Sequence, residues 1–206
     1  LGVGSVYTVG SDIAMPTVAK VSDRLGLPRF HSADVIETLH RKANLRAFLD
    51  HEELSPVAHR VATSAADLDG FTSYPAIVKP SDSQGQRGIT IVDDDAGAAE
   101  ALPAAVAASA TATAVVEELL DGPEVSVHVM VVDGAIRFSL PSDRYVWDGP
   151  MVGVAQAHVI PSAFLGDHGP AVTSLIGDVV DRLGVVNGPL YFQLKLTTRG
   201  PRIVEI

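Results

Sequence analysis

The sequence predicts a mixed α/β chain of the α+β kind, in which a short βα start leads into a largely antiparallel sheet with helices on one face. Three features carry that prediction. Val6-Tyr7-Thr8-Val9 reads as the end of a short strand, and Gly10-Ser11-Asp12 supplies a turn and a helix N-cap. Val125 to Val132, then Asp133-Gly134, then Ala135 to Phe138 has the pattern of a β-hairpin closed by a type I′ turn. Leu190 to Leu196 and Arg202 to Ile206 are strands separated by the turn Thr198-Arg199-Gly200-Pro201. Strands joined by tight turns pair antiparallel.

The remaining elements follow in order. A first helix runs over about Met15 to Leu25 and stops at Gly26-Leu27-Pro28. A second opens after Ser32; Leu39, Lys42, Ala43, Arg46 and Phe48-Leu49 continue its spacing until Asp50-His51-Glu52-Glu53 and Ser55-Pro56 break it. Ala76-Ile77-Val78 is a buried-type strand running into Lys79-Pro80, and Ile89 to Val92 returns from the polar stretch Ser81 to Gly88. Ala96 to Ala114 is dominated by alanine, whose helix propensity predicts a surface helix, kinked or split at Pro103, ahead of a Val115-Val116 strand. After the hairpin come a polar loop, Ser142 to Pro150, a strand near Val154 to Val159 and a helix around Ala171 to Leu183.

Composition bounds the function. The chain has 206 residues, 47% hydrophobic and 19% charged, enough to bury a core and unlike a disordered tail or a fibrous protein. Lys plus Arg total 15 against 25 Asp plus Glu, a formal charge of −10, so non-specific nucleic-acid binding is not expected. Without cysteine there is no disulfide framework and no thiolate chemistry, and a reducing, cytoplasmic setting fits. No apolar run of about 18 residues and no signal-peptide pattern predicts a membrane or targeting segment. Leu1-Gly2-Val3 and Arg202 to Ile206 both read as cut ends.

Lysine occurs only at Lys20, Lys42, Lys79 and Lys195, so one at the end of an apolar strand needs a reason. Lys79 faces Ser81-Asp82-Ser83-Gln84-Gly85-Gln86-Arg87-Gly88, whose glycines and small side chains can expose backbone N–H groups to a phosphate. An ordinary hairpin loop with a snorkelling lysine has the same residues. The spacing is not that of a P-loop. Glu117-Glu118-Leu119-Leu120, with Glu124 after Asp121-Gly122-Pro123, reads either as an acidic turn or as a nucleotide pocket. In the pocket, backbone groups meet an adenine edge, a leucine lies beside the ring and a carboxylate accepts from ribose hydroxyls. Gln193 and Glu205 lie on the last two strands and offer hard oxygen ligands suited to Mg²⁺, with Lys195 on the Gln193 face; a solvated polar face is the alternative.

Taken in order, a helical lysine, Ile-Val-Lys-Pro with its small-residue loop, Glu-Glu-Leu-Leu, Gly-Pro-Glu-Val-Ser-Val, and Gln-x-Lys followed by Ile-Val-Glu-Ile resemble the ATP-grasp superfamily over nearly the whole chain. Thr8 to Ala14 with Pro16-Thr17 looks like the end of the domain that precedes the grasp in that family. The resemblance implies an ATP-grasp fold, with an antiparallel central sheet, a small lid domain and a truncated βα domain in front. It divides the chain into 1–37, the end of that preceding domain; 38–122, a linker helix and the lid; and 123–206, the central subdomain. It also implies ATP and Mg²⁺ (or Mn²⁺) as cofactors. Lys42, Lys79, Ser81, Gln84, Gly85 and Gly88 would hold phosphates, Glu117, Glu118, Leu119 and Leu120 would line the adenine site, and Glu124 would take the ribose. Gln193 and Glu205 match metal positions, the first of which is Glu in many relatives. The family pattern continues Glu-x-Asn-x-Arg, which runs past Ile206, so a chain with these ends is expected to be catalytically impaired.

By the same resemblance the reaction phosphorylates a carboxylate to an acyl phosphate, and an amine then displaces the phosphate. That chemistry needs charge neutralisation and positioning rather than a protein nucleophile. Arg144, within Ser142 to Trp147, is the candidate for a substrate carboxylate, or else a surface ion pair with Asp143 or Asp148. His158, within Gln156 to Ser162, is a second candidate or a satisfied strand histidine, and Lys195 is the third. The expected partners are a small-molecule carboxylate and amine, with no nucleic acid or membrane and a possible homodimer. A bicarbonate-activating carboxylase or carbamoyl phosphate synthetase type, and a nucleotide-binding module without catalysis, are the alternatives.

Overall fold

A computed structural model describes residues 2–8, 11–83, 87–147 and 153–206. Helices α1 (Met15–Leu25), α2 (Ala33–His40) and α3 (Lys42–His51) come first, followed by strands β1 (His59–Ala62), β2 (Ala76–Pro80) and β3 (Thr90–Val92). Helix α4 (Asp95–Ala108) and strand β4 (Ala114–Glu118) complete the first half. Strands β5 (Glu124–Val132), β6 (Ala135–Val146) and β7 (Ala155–Val159), helix α5 (Gly169–Leu183), and strands β8 (Gly188–Thr197) and β9 (Gly200–Glu205) form the second. The strands make two wholly antiparallel sheets, a small one in the order β1-β4-β2-β3 and a large one in the order β7-β6-β5-β8-β9.

Period-two alternation builds the large sheet's core. Val125, Val127, Val129 and Val131 face Phe192, Leu194 and Ile203, and Val172, Ile176, Val179 and Val180 of α5 close over them with Leu39, Leu45 and Leu49 of α2 and α3. Each fully buried Val or Leu contributes about 1.5–3 kcal/mol. The same alternation leaves Glu124, Ser126 and His128 on the opposite, open face. A second core under the small sheet joins Ala76, Val78 and Val116 to Phe71, Ala98, Leu102 and Ala105. Asp133 and Gly134 take φ of 51° and 74°, the positive values a type I′ hairpin requires. No helix among the described residues is long and apolar enough to cross a membrane.

Several elements differ from expectation. The helix expected from Ser32 to Phe48-Leu49 is broken at Arg41, whose φ of −109° and ψ of 123° are extended. The Lys42 N–H donates to Ser81 O at 2.8 Å, so a tertiary bond replaces the intrahelical one. The polar stretch from Ser142 is strand rather than loop as far as Val146, because Asp143 is satisfied from outside the ladder by Ser162 Oγ and the Ala163 and Phe164 N–H groups. β1 was not expected; it is a short edge that buries only Ala62. α4 runs on through Pro103. Residues 6–8 are not in a strand, while Val9, Gly10 and 148–150 lie outside the described residues.

Candidate functional site

The site is built where α3, the ends of β2 and β4, and the open face of the large sheet meet. At its centre Glu117 is buried and ionised between two cations. Lys79 Nζ donates to Glu117 Oε2 at 2.7 Å, and Arg46 donates through Nε to Oε1 at 2.8 Å and through Nη2 to Oε2 at 3.0 Å. The third guanidinium nitrogen donates to Ile203 O at 2.9 Å, which ties the group to β9. Burial works against ionisation of Glu117, but Lys79 and Arg46 outweigh it and hold the carboxyl to about 2. Burial lowers the pKa of Lys79 from the ordinary lysine value, with Glu117 opposing.

A second pair sits beside it. Lys42, the first residue of α3, donates from Nζ to Glu205 Oε1 at 2.8 Å and toward Ser83 O at 3.4 Å. Burial opposes charge on Glu205, yet Lys42 and then Lys79 keep its carboxyl below the usual range. Glu205 stands opposite Gln193 in the β8–β9 register. Ser81 Oγ accepts from the Ala43 N–H at 3.4 Å, so the start of the loop after β2 is joined to the start of α3. Gly88 takes φ of 71° against α4, where an added Cβ would come within 2.9 Å of Ala108 Cβ. Gln84 and Gly85 lie outside the described residues.

Glu124 gathers the third group. Its carboxylate accepts from Arg144 Nη1 and from Gln193 Nε2 at 2.9 Å, and Lys195 Nζ lies 3.4 Å away while donating to Gly122 O at 3.1 Å. Arg144 also donates to Gly153 O at 2.8 Å. Thus Arg144 pairs across the sheet with Glu124 and not with Asp143, while Asp148 lies outside the described residues. His158 Nδ1 lies 3.3 Å from Ser142 Oγ, and burial, then Arg144 and His128, lower its pKa. Glu118 points away from this group: one oxygen accepts from the Ala58 N–H at 2.9 Å and the other from Arg199. Leu119 and Leu120 lie on the linker between the sheets, and Leu119 is exposed.

Sequence reading missed Arg46 as a site residue, although it follows Lys42 by one helical turn and so shares its face. Arg199, expected only as part of a turn, fixes Glu118. Among the described residues no three His, Asp or Glu side chains stand together as a metal cage. Glu205 and the side-chain oxygen of Gln193 fit a hard cation that keeps water and phosphate ligands.

Comparison with known proteins matches residues 72–206 to the family described as ATP-grasp domain, and the chain belongs to that family. The ATP-grasp enzyme fsqD of Aspergillus fumigatus is 32% identical over 134 residues, 58% of this chain and 22% of its own length. A phosphoribosylamine–glycine ligase of Streptomyces coelicolor is 30% identical over 207 aligned residues, 92% of this chain and 48% of its own. The chain therefore spans about half or less of these curated relatives. The crystal structure of an L-amino acid ligase from Bacillus licheniformis superposes with a TM-score of 0.78 at 24% identity, covering 98% of this chain and 48% of that one. That likeness bears out the two-sheet ATP-grasp fold.

Proposed function

We propose that this chain carries the nucleotide and metal site of an ATP- and Mg²⁺-dependent ligase that joins a carboxylate to an amine. The observation that carries the reading is the convergence of Lys42 and Lys79, from separate elements, on Glu205 and Glu117 beside Gln193. Bound ATP supplies the phosphoryl group and Mg²⁺ offsets its charge. Lys42 is held by Glu205, whose side chain is partly exposed; Glu205 would help hold Mg²⁺, and the Lys42 ammonium would then be available to a phosphate. Lys79 is fixed by Glu117, and Arg46 fixes Glu117, so its ammonium is a preorganised charge rather than a mobile one. Leu119 and Leu120 are assigned to the adenine edge and Glu124 to the ribose, which requires Glu124 to loosen its bond to Arg144.

The names of the relatives support the amide-forming direction, since one is a phosphoribosylamine–glycine ligase and another an L-amino acid ligase. The test is ADP release by the full-length protein with ATP, Mg²⁺ and a panel of carboxylates and amines. Release that needs both co-substrates, and that Lys42→Ala lowers by at least tenfold, is the expected result. ADP release supported by bicarbonate alone would overturn the carboxylate–amine assignment.

A further inference from the structure

The open face of the large sheet changes character row by row. Strand register places Arg144, Glu124 and Lys195 side by side, then Ser142, Ser126, Gln193 and Glu205, then Leu140, His128 and Tyr191, then Phe138, Met130 and Pro189. Successive rows are about 7 Å apart, two residues along a strand. The first two rows hold the groups assigned to nucleotide and metal, so the third is the next surface that a substrate reaching the transferred phosphoryl group must cover.

That third row is rigid and neutral in composition apart from its histidine. Tyr191 Oη bonds Ser126 Oγ at 2.7 Å, which fixes the phenol, and the His128 ring lies against it with centroids 5.0 Å apart and planes at 58°. Beyond it Met130 and Phe138 are 37% and 52% exposed on the same face. No Lys or Arg among the described residues stands in these two rows. The nearest cation on β6 is Arg137, exposed at the bulge next to Phe138 and about 10 Å along the strand from Leu140.

We infer that the carboxylate substrate carries an uncharged apolar or aromatic side chain, seated on Tyr191, His128 and Leu140 with its far end toward Met130 and Phe138. The inference rests on the ligase reading above and names its substrate class. An apolar side chain loses water against fixed rings and a leucine, whereas a second carboxylate or a phosphate would be desolvated on two rows that pair no Lys or Arg among the described residues. Aromatic side chains add ring contacts with Tyr191 and His128.

Hydroxylamine makes the test independent of the natural amine. The substrate carboxylate oxygen takes the terminal phosphoryl group of ATP and releases ADP; the hydroxylamine nitrogen then attacks the acyl carbon, phosphate leaves, a proton is lost, and a hydroxamate forms. The full-length protein is assayed with ATP, Mg²⁺ and hydroxylamine against L-phenylalanine and L-leucine on one side and L-aspartate and O-phospho-L-serine on the other. The expected kcat/KM favours the apolar pair by at least about tenfold. Tyr191→Ala raises KM for phenylalanine with ATP affinity unchanged, and Leu140→Lys shifts the preference toward aspartate. Preference for aspartate or phosphoserine in the native protein, or variants that keep the native preference, would overturn this inference and leave the ligase reading standing. ATP binding without hydroxamate from any carboxylate would overturn both.

Discussion

Glu117 carries a large electrostatic stake at the centre of the site. It is buried between Lys79 and Arg46, and removing one member of such a group leaves uncompensated buried charge at a cost of about 3–5 kcal/mol. Glu117→Gln should therefore lower stability at neutral pH by about that amount, read by denaturant melts. Its folded pKa, about 2, lies below the ordinary carboxyl value of 4.5. The stabilisation is complete above that ordinary value and is lost as pH falls from there through the folded pKa. An acid titration of the melting temperature should accordingly be steep in the native protein and shallower in Glu117→Gln; equal slopes would refute the assignment. The sequence singled out Lys79 and Glu117, the first for a phosphate and the second for the adenine site, but not as partners of each other. Arg46 was not read as a partner, since an arginine on an amphipathic helix is ordinarily solvated and only the tertiary fold buries it.

At the scale of elements, the linker between the sheets is set by Gly122. Its φ is +80°, and an added Cβ would lie 2.0 Å from Leu196 O, a backbone atom that cannot yield. Gly134, at φ of +74°, has open space around it, so a methyl there meets only backbone strain, about 1 kcal/mol. Gly122→Ala should thus lower the melting temperature clearly more than Gly134→Ala, in calorimetry of the two variants; equal losses would mean that the linker moves freely off β8. The hairpin around Asp133-Gly134 could be read in advance because its turn chemistry is local. The break at Arg41 could not, because it depends on Ser81 O, distant in sequence. The length of β6 was missed for a related reason: Ser142, Asp143 and Arg144 look like a loop until Ser162, His158 and Glu124 are seen to satisfy them.

In the whole molecule the site belongs to no single element. α3 supplies Lys42 and Arg46, the small sheet Lys79 and Glu117, and the large sheet Glu124, Gln193 and Glu205. A nucleotide that engages these groups binds the folded arrangement and not the unfolded chain, so it must stabilise the protein by mass action, by about 2.7 kcal/mol at 100 times its dissociation constant. The order of the motifs along the sequence was enough to anticipate the family and the antiparallel central sheet, whereas the pairing of Arg144 with Glu124 emerged only from strand register and that of Lys42 with Glu205 only from the packing of α3 beside β9. The most direct measurement is a thermal melt of this chain with ATP plus Mg²⁺ against Mg²⁺ alone, repeated with Lys42→Ala. The account predicts a rise that saturates with ATP and requires a higher concentration in the variant. A melting temperature unmoved by saturating ATP and Mg²⁺ would contradict it.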